Sequence, residues 1–322
     1  MSDVARTAGV SIKTVSRVVN DEPGVNPDTA ERVRTAIEAL GFRRNDGARK
    51  LRTGQSTGTV GLVLEDVANP FYSALTRAVE EVARGFGHHL LTGSSAEDPD
   101  RERDLTLEFC ARRVDGLLIV PAGQRHGYLL PEMRAGTPVV FVDRPAGDIE
   151  ADTVLVDNAG GTAAAVDHLV SCGHTRIGFL GDAPDIFTAG ERLRGFRAGC
   201  ARAGLSGDMV LMGPHSTESV SRAMRGPLSE ATAVICGNNR ITVLLLRFLA
   251  DGGTRPALVG FDDFELADLL DPPVTVLAHD IGAMGRTAAE LLFARLRGDT
   301  TAPRRIVLPV RLVPRGSGEV RP

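Results

Sequence analysis

Residues 3–20 read DVARTAGVSIKTVSRVVN, a pattern of two short helices on either side of a glycine. Val4 and Ala8 lie one helical turn apart, and Gly9 breaks the first helix before Ser11, which is placed to cap a second one. Two helices joined by a turn of about three residues form the helix-turn-helix arrangement, in which the second helix enters the major groove of DNA. This stretch therefore predicts a DNA-binding domain.

A third helix is expected after the following loop. Asn26 is a suitable N-terminal cap, Pro27 suits the first helical position, and Gly41 is a suitable stop. We expect the resulting three-helix domain to cover residues 1–43. Apolar residues of this helix recur at three- and four-residue spacing, which indicates one buried face: Ala30, Val33, Ile37 and Leu40.

The outer face of the second helix is polar and basic. Lys13 and Arg17 lie four residues apart on it, and Ser16 and Asn20 extend it, so these side chains can reach base edges or phosphates. A merely solvated helix face is the alternative. Residues 1–57 contain ten Lys and Arg against seven Asp and Glu, a net charge of +3, whereas the remainder contains 27 against 34, a net charge of −7. This local basic excess favours DNA binding.

After Gly58 the sequence changes to short apolar runs that alternate with helical stretches. Such alternation is typical of the α/β class, in which a doubly wound parallel sheet carries helices on both faces. Residues 58–322 are many for one such sheet, and two similar halves fit better. Eight runs are predicted to be buried parallel strands: TVGLVLE (59–65), HHLLTGSS (88–95), GLLIVPA (116–122), TPVVFVD (137–143), RIGFLGD (176–182), MVLMG (209–213), ATAVICG (231–237) and PALVGFDD (256–263).

Polar and aromatic residues follow several of these strands, and open parallel sheets bind their ligands beyond the carboxyl ends of the strands. Carboxylates, amides and an arginine beside aromatic faces suit a polyhydroxylated ligand, for which a sugar is the natural candidate. The alternative is that each Asp or Asn only caps the next helix, but the recurrence across strands favours a pocket. The residues in question are Asp66, Asn69, Phe71, Tyr72, Asp143, Arg144, Asn238, Asn239, Asp262 and Asp263.

The N-terminal residues also carry a family resemblance. DVARTAGVSIKTVSRVVN, together with VNPDTAERVRTAIEALGF, resembles the DNA-binding domain of the lactose repressor family of bacterial transcription regulators. The resemblance implies that Ile12 and Lys13 select bases and that Arg17 is a third base reader. It also implies that Thr14 and Ser16 hold phosphates.

The body is similar to the same family along nearly its full length, through stretches such as ANPFY, VDNAGG, ERLRGF and VGFDD. The family's body has the fold of the periplasmic sugar-binding proteins. The resemblance implies that Phe71 and Tyr72 line a pocket and that Arg192 binds a polar effector group. It also implies that Asp262 accepts hydroxyl hydrogens and that the amide Asn238 is a fourth pocket position. Asn239 departs from the family, because many relatives carry a carboxylate there.

The family's layout of three crossovers implies that each half of the body is discontinuous. We expect one subdomain to comprise residues 58–157 plus 282–306, and the other to comprise residues 158–281 plus 307–322. The last residues, GSGEVRP, contain no leucine heptad. A homodimer is therefore expected rather than a tetramer.

Residues 44–57 join the predicted DNA-binding domain to the body, and by composition they could be a plain linker. In the family, the matching stretch becomes a short hinge helix on the operator, where a leucine wedges into the minor groove and bends the DNA. The resemblance implies that Leu51 is this wedge and that the helix and its phosphate contacts are completed by Ala48, Arg49 and Lys50. Gly47 departs from the family and costs the hinge helix about 1 kcal/mol.

Composition indicates the class of the protein and its expected cellular location. Of its 322 residues, 43% are hydrophobic and 24% charged, as in an ordinary globular protein. The chain has no run of 18 apolar residues, and its start does not resemble a signal peptide, so we expect no membrane association and a cytoplasmic location. The four cysteines are far apart and form no C-x-x-C pair, so neither a zinc site nor a disulfide framework is predicted.

No cofactor, metal or catalytic site is predicted. NAGGTAAAV follows a strand but lacks the G-x-G-x-x-G spacing of dinucleotide sites, so Gly160 and Gly161 are interpreted as packing or turn residues. His88 and His89 are consecutive strand residues that face opposite sides and cannot chelate one metal. Ser and Cys residues with a suitably spaced His and acid are not apparent. The chain is therefore not expected to be an enzyme.

Together these patterns predict a ligand-controlled transcription regulator, most simply a repressor of genes for sugar uptake or catabolism. We expect it to act as a homodimer on a nearly palindromic operator, with a small effector bound between the two halves of the body. A solute-binding protein that feeds a transporter is one alternative, and a sugar-processing or nucleotide-dependent enzyme is another. Neither alternative explains the basic three-helix domain.

Overall fold

The computed structural model describes residues 1–42, 56–250, 252 and 255–322. The chain divides into two compact units, Met1–Thr57 and Gly58–Pro322. Among the described residues, none forms a helix that is both long enough and apolar enough to cross a membrane. The predicted hinge residues lie outside the described ranges: Gly47, Ala48, Arg49, Lys50 and Leu51.

The N-terminal unit contains the three predicted helices, α1 (Ser2–Ala8), α2 (Ile12–Val19) and α3 (Pro27–Ala39). Each helix has one apolar face, and the three faces meet in a small core. The buried members of this core are Val4, Ala5, Ala8, Val15, Val18, Val33 and Ala36.

The ends of these helices follow from their capping residues. Gly9 ends α1 in the left-handed conformation at φ 65°, which favours glycine. The Ser11 hydroxyl accepts a hydrogen bond from the Thr14 N–H at 3.1 Å, and the Asn26 side chain accepts one from the Asp28 N–H at 2.9 Å. These caps satisfy N–H groups that the first turn of a helix leaves free.

The body is built from two six-stranded sheets flanked by helices. All eight predicted strands are present, and four further strands were not predicted: β5, β10, β11 and β12. The strands are β1 (Thr59–Leu64), β2 (His89–Ser94), β3 (Gly116–Ile119), β4 (Val139–Val142), β5 (Asp152–Val156), β6 (Ile177–Gly181), β7 (Val210–Met212), β8 (Ala233–Cys236), β9 (Ala257–Phe261), β10 (Thr275–Ala278), β11 (Arg305–Leu308) and β12 (Arg311–Val313).

Helices connect successive strands and cover the sheets. In the body they are α4 (Pro70–Gly85), α5 (Pro99–Ala111), α6 (Leu130–Arg134), α7 (Asn158–Ser171), α8 (Phe187–Arg202), α9 (Thr217–Arg225), α10 (Asn239–Ala250) and α11 (Ile281–Leu296).

The two sheets have the same strand order. One runs β11-β5-β4-β3-β1-β2 and the other β12-β10-β9-β8-β6-β7. We call the first sheet with its helices the first lobe and the second sheet with its helices the second lobe. Each lobe thus repeats one doubly wound topology, as the two-half prediction requires.

The chain passes between the lobes three times, after β5, after β10 and after β11. The predicted boundary between residues 306 and 307 falls inside β11, which continues to Leu308. Helix α11 follows the second crossover and packs against α4 and against strands of the first sheet. The crossovers therefore join the lobes through short segments at one edge of each sheet.

Two details of the sheets differ from the prediction. The strands β2 and β7 are mostly half-buried rather than buried, because they are edge strands with a neighbour on one side only. Strand β12 runs antiparallel to β10, although the other strand pairs are parallel. An antiparallel edge strand on an otherwise parallel sheet is common in doubly wound folds.

The NAGG glycines serve close packing and the helix cap, in agreement with their interpretation as packing or turn residues, because a Cβ atom on Gly160 would lie 2.0 Å from the Asp157 carboxylate that caps α7. A Cβ atom on Gly161 would lie 2.6 Å from a methyl group of Val310. Across from α7, a Cβ atom on Gly195 of α8 would lie 2.2 Å from the Ala159 carbonyl oxygen. Glycine is therefore required where α7 and α8 approach each other closely.

Candidate functional site

The outer face of α2 exposes the side chains that the sequence singled out. Ile12 is 54% exposed although it is a large apolar residue, and Lys13 and Arg17 are exposed beside it. Val15 and Val18 point into the core. Because α2 buries only its valine face, its N-terminal and outer residues are free to contact another molecule.

The remaining polar residues of α2 are half-buried. The Thr14 and Ser11 hydroxyl oxygens lie 2.9 Å apart, and the Asn20 amide donates to the Ser16 hydroxyl at 3.3 Å. These hydrogen bonds hold the side chains of Thr14, Ser16 and Asn20 at the edge of the exposed face. The structure therefore brings together six predicted DNA-contacting residues on one short helix and its end: Ile12, Lys13, Thr14, Ser16, Arg17 and Asn20.

A polar cleft lies between the two lobes of the body, at the carboxyl ends of the strands. Its cavity of about 40 Å³ is small, since one water molecule needs roughly 10 to 15 Å³. A sugar would therefore require the lobes to move apart. The cleft is lined by nine of the eleven residues that the sequence and the family resemblance suggested for a pocket: Asn69, Phe71, Tyr72, Asp143, Arg144, Arg192, Asn238, Asn239 and Asp262.

In the first lobe, Asp143 and Arg144 follow β4 directly. Asp143 is buried and adopts φ 68°, a left-handed conformation that a non-glycine residue rarely takes. Burial raises the pKa of its carboxyl group. The Arg144 guanidinium is held by Glu97 and donates to the Pro121 carbonyl at 2.7 Å. This arginine is therefore already neutralised within its own lobe.

The aromatic residues of the cleft come from the start of α4. Asn69 caps this helix by accepting a hydrogen bond from the Phe71 N–H at 3.2 Å. The Phe71 and Tyr72 rings are both buried and meet edge to face, with their centroids 4.8 Å apart. The helix cap thus fixes both rings in the lining of the cleft.

In the second lobe, Arg192 of α8 is the central cation. It donates to the Asn158 side chain at 2.8 Å and to the Gly237 carbonyl at 2.6 Å, and its guanidinium lies 3.7 Å from the centroid of the Phe261 ring. The Asp262 carboxylate lies 3.6 Å away. Because it is buried and stacked, Arg192 is held rigidly in one orientation.

Asp262 follows β9 as Asp143 follows β4, and it too adopts a left-handed conformation, with φ 65°. Since the two sheets have the same strand order, these carboxylates occupy equivalent positions in the two lobes. Both are buried, and both have one oxygen atom without a hydrogen-bond partner in the described part of the chain. Strained, buried polar residues of this kind concentrate at ligand sites.

The Asn238 side-chain amide is hydrogen-bonded within the second lobe. It donates to the Asp182 carboxylate at 2.7 Å, and the His215 ring nitrogen Nδ1 lies 3.3 Å from the same carboxylate. Burial opposes ionisation of Asp182, but hydrogen bonds from His215 and from the Ala183 N–H lower its pKa overall. Asp182 is therefore a charged acceptor at the cleft wall at neutral pH.

Two contacts close the cleft between the lobes. The Asn239 amide of α10 donates to the Asn69 side chain at 3.0 Å, and this pair is buried. Arg240, next on α10, lies 3.2 Å from the Glu65 carboxylate and also binds Asp66. Asp66, which the sequence suggested for the pocket, thus binds Arg240 at the mouth of the cleft.

Sequence reasoning missed several cleft residues. Glu65, Asp182 and Gly237 end predicted strand runs and directly follow the observed strands, so the rule that selected Asp143 and Asp262 could have found them. Others come from loops and from the start of α8, and no local signal marks them. The missed lining residues are Glu65, Glu97, Asp182, Ile186, Thr188, Ala189 and Gly237. In contrast, the suggested Asp263 lies outside the cleft lining, and its exposed side chain pairs with Arg315 at 2.6 Å.

His279 was also missed, because it follows β10, a strand that was not predicted. Its side chain is 1% exposed, and its Nδ1 lies 3.7 Å from the Asp262 carboxylate, beyond hydrogen-bond distance. Its ring packs against Phe71, with centroids 5.7 Å apart. Burial lowers the pKa of His279 and keeps the ring neutral.

Within the described ranges, no group of three or more His, Cys, Asp or Glu side chains could hold a metal ion.

A helix-turn-helix unit joined to a two-lobed α/β body with a polar cleft defines a class of protein: a DNA-binding protein that responds to a small ligand.

Comparisons with known proteins identify the family within this class. Residues 1–45 match the bacterial regulatory proteins of the lacI family, and residues 166–318 match the periplasmic binding protein-like domain. The HTH-type transcriptional regulator CelR of Thermobifida fusca is 36% identical, in an alignment that covers 98% of this chain and 97% of CelR. The chain therefore belongs to the lacI family and is a ligand-responsive, DNA-binding transcription regulator.

Solved structures agree with this assignment. The lac repressor dimer bound to operator and the anti-inducer ONPF is similar with a TM-score of 0.79 and 26% identity, covering 99% of this chain and 98% of that one. A complex of the transcriptional regulator CelR with cellobiose has a TM-score of 0.72 and 32% identity, covering 98% of each chain. The fold and family predicted from the sequence are confirmed.

Proposed function

We propose that this protein is a repressor of genes for sugar uptake or catabolism, which works in the cytoplasm and releases or tightens its hold on an operator when a sugar enters the cleft. The cleft carries this proposal, because it gathers two aromatic rings with carboxylates and amides at the carboxyl ends of two matched sheets. Regulation rather than catalysis is its proposed role.

The proposed effector is an uncharged sugar. Five carboxylates line the cleft, against two arginines: Glu65, Glu97, Asp143, Asp182 and Asp262 against Arg144 and Arg192. Both arginines already bind protein acceptors, so neither is free to neutralise a phosphate or a sugar acid. Carboxylate oxygens accept hydrogen bonds from sugar hydroxyls, and the Phe71 and Tyr72 rings can stack on a C–H face. The related CelR is known in complex with an uncharged disaccharide, cellobiose.

DNA binding is proposed for the exposed face of α2. Ile12, Lys13 and Arg17 would contact base edges, and Thr14, Ser16 and Asn20 would contact phosphates or support the readers. The hinge residues Ala48, Arg49, Lys50 and Leu51 are proposed to enter the minor groove, on the strength of the family resemblance. A homodimer would place two such heads on a nearly palindromic operator, as the two-fold symmetry of a dimer requires.

Effector and operator binding would be coupled through the angle between the lobes. A cavity of about 40 Å³ cannot hold a sugar, so binding requires a different lobe arrangement from the one described. A ligand that prefers one arrangement shifts the protein towards it, and the operator affinity changes by the same coupling free energy.

A gel-shift experiment tests this function. Purified protein should retard a fragment from its own upstream region and not a scrambled fragment of equal length. In parallel, a thermal-shift screen of neutral mono- and disaccharides, including cellobiose, should find a sugar that raises the melting temperature. The same sugar should change the retardation, whereas its phosphorylated form should not. Absence of retardation with every sugar and without sugar contradicts the proposal.

A further inference from the structure

His279 occupies a special place in the connectivity of the body. It follows β10 of the second sheet directly and precedes Asp280, which caps α11 through the Ala283 N–H at 2.6 Å. Helix α11 packs on the first lobe. His279 therefore lies on the crossover that joins the lobes, where any change in the angle between them must be accommodated.

Unpaired polar atoms converge around this ring. Neither ring nitrogen of His279 has a hydrogen-bond partner among the residues that the structure describes, although the side chain is only 1% exposed. One carboxylate oxygen each of Asp143 and Asp262 is likewise buried and unpaired. Buried polar groups are almost always hydrogen-bonded, so such a concentration at one place calls for a ligand.

These groups come from three different parts of the fold. Asp143 belongs to the first lobe, Asp262 to the second, and His279 to the crossover. Asp143, Asp262 and the Phe71 ring that packs on His279 all line the cleft. We call these unpaired atoms the floor of the effector cleft: Asp143 and Asp262 line the cleft, and the His279 ring packs against the lining residue Phe71, with Nδ1 3.7 Å from the Asp262 carboxylate.

The chemistry of the floor selects a hydroxyl group. A neutral imidazole offers one N–H donor and one acceptor nitrogen, and an ionised carboxylate only accepts. A hydroxyl can donate to a carboxylate oxygen and accept from the imidazole N–H at the same time. A phosphate or carboxylate group would instead face two buried carboxylates, which repel it.

We propose that His279 is a further effector-binding residue: its ring N–H donates to one hydroxyl group of an uncharged polyhydroxylated effector, that hydroxyl donates to Asp262, and a second hydroxyl of the effector donates to Asp143. The effector thereby binds the crossover itself as well as both lobes. This inference rests on the proposed function of the cleft. It explains how occupancy of the cleft reaches the segment about which the lobes turn.

Calorimetric titration of the full-length protein tests the inference. The probe is the neutral sugar that gives the largest thermal shift with the wild-type protein. His279→Leu removes both ring nitrogens, and we expect it to weaken binding about tenfold, while His279→Gln, which keeps a donor and an acceptor, stays within about threefold. His89→Leu is the matched control, because His89 is exposed at the amino end of β2, at the opposite end of its strand from the cleft.

Deoxy analogues of the same sugar separate direct contact from a structural effect. One deoxy analogue should bind the wild-type protein more weakly than the parent sugar does. His279→Leu should bind this analogue and the parent sugar with equal affinity, because the hydrogen bond between the hydroxyl and the ring is already absent in that variant. Equal affinities of wild type and His279→Leu for the sugar, or equal losses for every analogue with both proteins, overturn the inference alone. If no neutral sugar binds the wild-type protein, the inference falls together with the proposed function. If His279→Leu folds less well than the wild-type protein, the test rests on His279→Gln, which must retain binding.

Discussion

Lys13 and Arg17 are the two exposed cations of α2, and only one face of this helix is free to meet DNA. An arginine in the major groove can bind guanine with two hydrogen bonds and so distinguish it from other bases, whereas a phosphate contact carries no sequence information. The two roles differ in one measurable respect: a base contact affects specific binding, and a phosphate contact affects binding to any sequence.

We expect Arg17→Ala to weaken operator binding by roughly 1 to 3 kcal/mol and to leave binding to random DNA nearly unchanged. The measurement is fluorescence anisotropy with operator and scrambled duplexes at one fixed salt concentration. Arg34→Ala is the control, because Arg34 is an exposed arginine of α3 whose pair with Glu31, at 3.3 Å, contributes little to stability. An equal loss with both variants would assign the effect to net charge.

Among the structural elements, α11 and β5 are tied together by one buried ion pair. Arg295 of α11 donates two hydrogen bonds to Asp152 at the start of β5, at 2.7 and 3.0 Å, and the Arg304 N–H donates a third at 2.7 Å. Burial alone would raise the pKa of Asp152, but these bonds lower it below its ordinary value. The ionised carboxylate therefore stabilises the first lobe.

The pH dependence follows from the lowered pKa. The contribution of Asp152 is fully present above the pKa of an unfolded aspartate, about 3.9, and is lost as the pH falls through the lower folded-state value. We expect Asp152→Asn to reduce the free energy of unfolding by roughly 1.5 to 3 kcal/mol at pH 7 and by less at pH 3. Urea unfolding at both pH values measures this difference.

Glu191→Gln is the matched control for Asp152→Asn. Glu191 also binds an arginine, Arg194, but this pair on α8 is largely exposed, with the Arg194 side chain 65% exposed. Exposed pairs contribute at most about 1 kcal/mol. A difference for Asp152→Asn that stays constant from pH 7 to pH 3 would show that the carboxylate charge plays no part.

At the level of the whole body, Arg240 holds the lobes together at the mouth of the cleft through Glu65 and Asp66. We expect Arg240→Ala to open the ligand-free cleft more often. Partly exposed ion pairs contribute roughly 0.2 to 1 kcal/mol each, so amide hydrogen exchange should accelerate up to about fivefold per pair lost.

Hydrogen exchange followed by mass spectrometry measures this opening in the peptides that contain residues 65–72 and 238–242. Arg247→Ala is the control, since Arg247 is exposed on the same helix, α10. Unchanged exchange in Arg240→Ala would mean that Asn69 and Asn239 suffice to keep the cleft closed.

The sequence by itself determined the three N-terminal helices and the eight strands that were predicted. Ser11, Asn26 and Gly9 act on the turn next to them, and apolar spacing is visible within a dozen residues. Most pocket residues named from the sequence line the cleft for a related reason, since they follow a strand and parallel strands end at a common edge, whereas Arg192 was named from the family resemblance.

Tertiary structure alone decided what the two lobes bring together. Glu97, Thr188 and His279 come from a loop, a helix start and a crossover, and none of them carries a local signal. Their convergence depends on two repeats of one sheet order and on three chain crossings between them. Spacing along the chain does not encode such distances, because packing between segments that are distant in the sequence sets them.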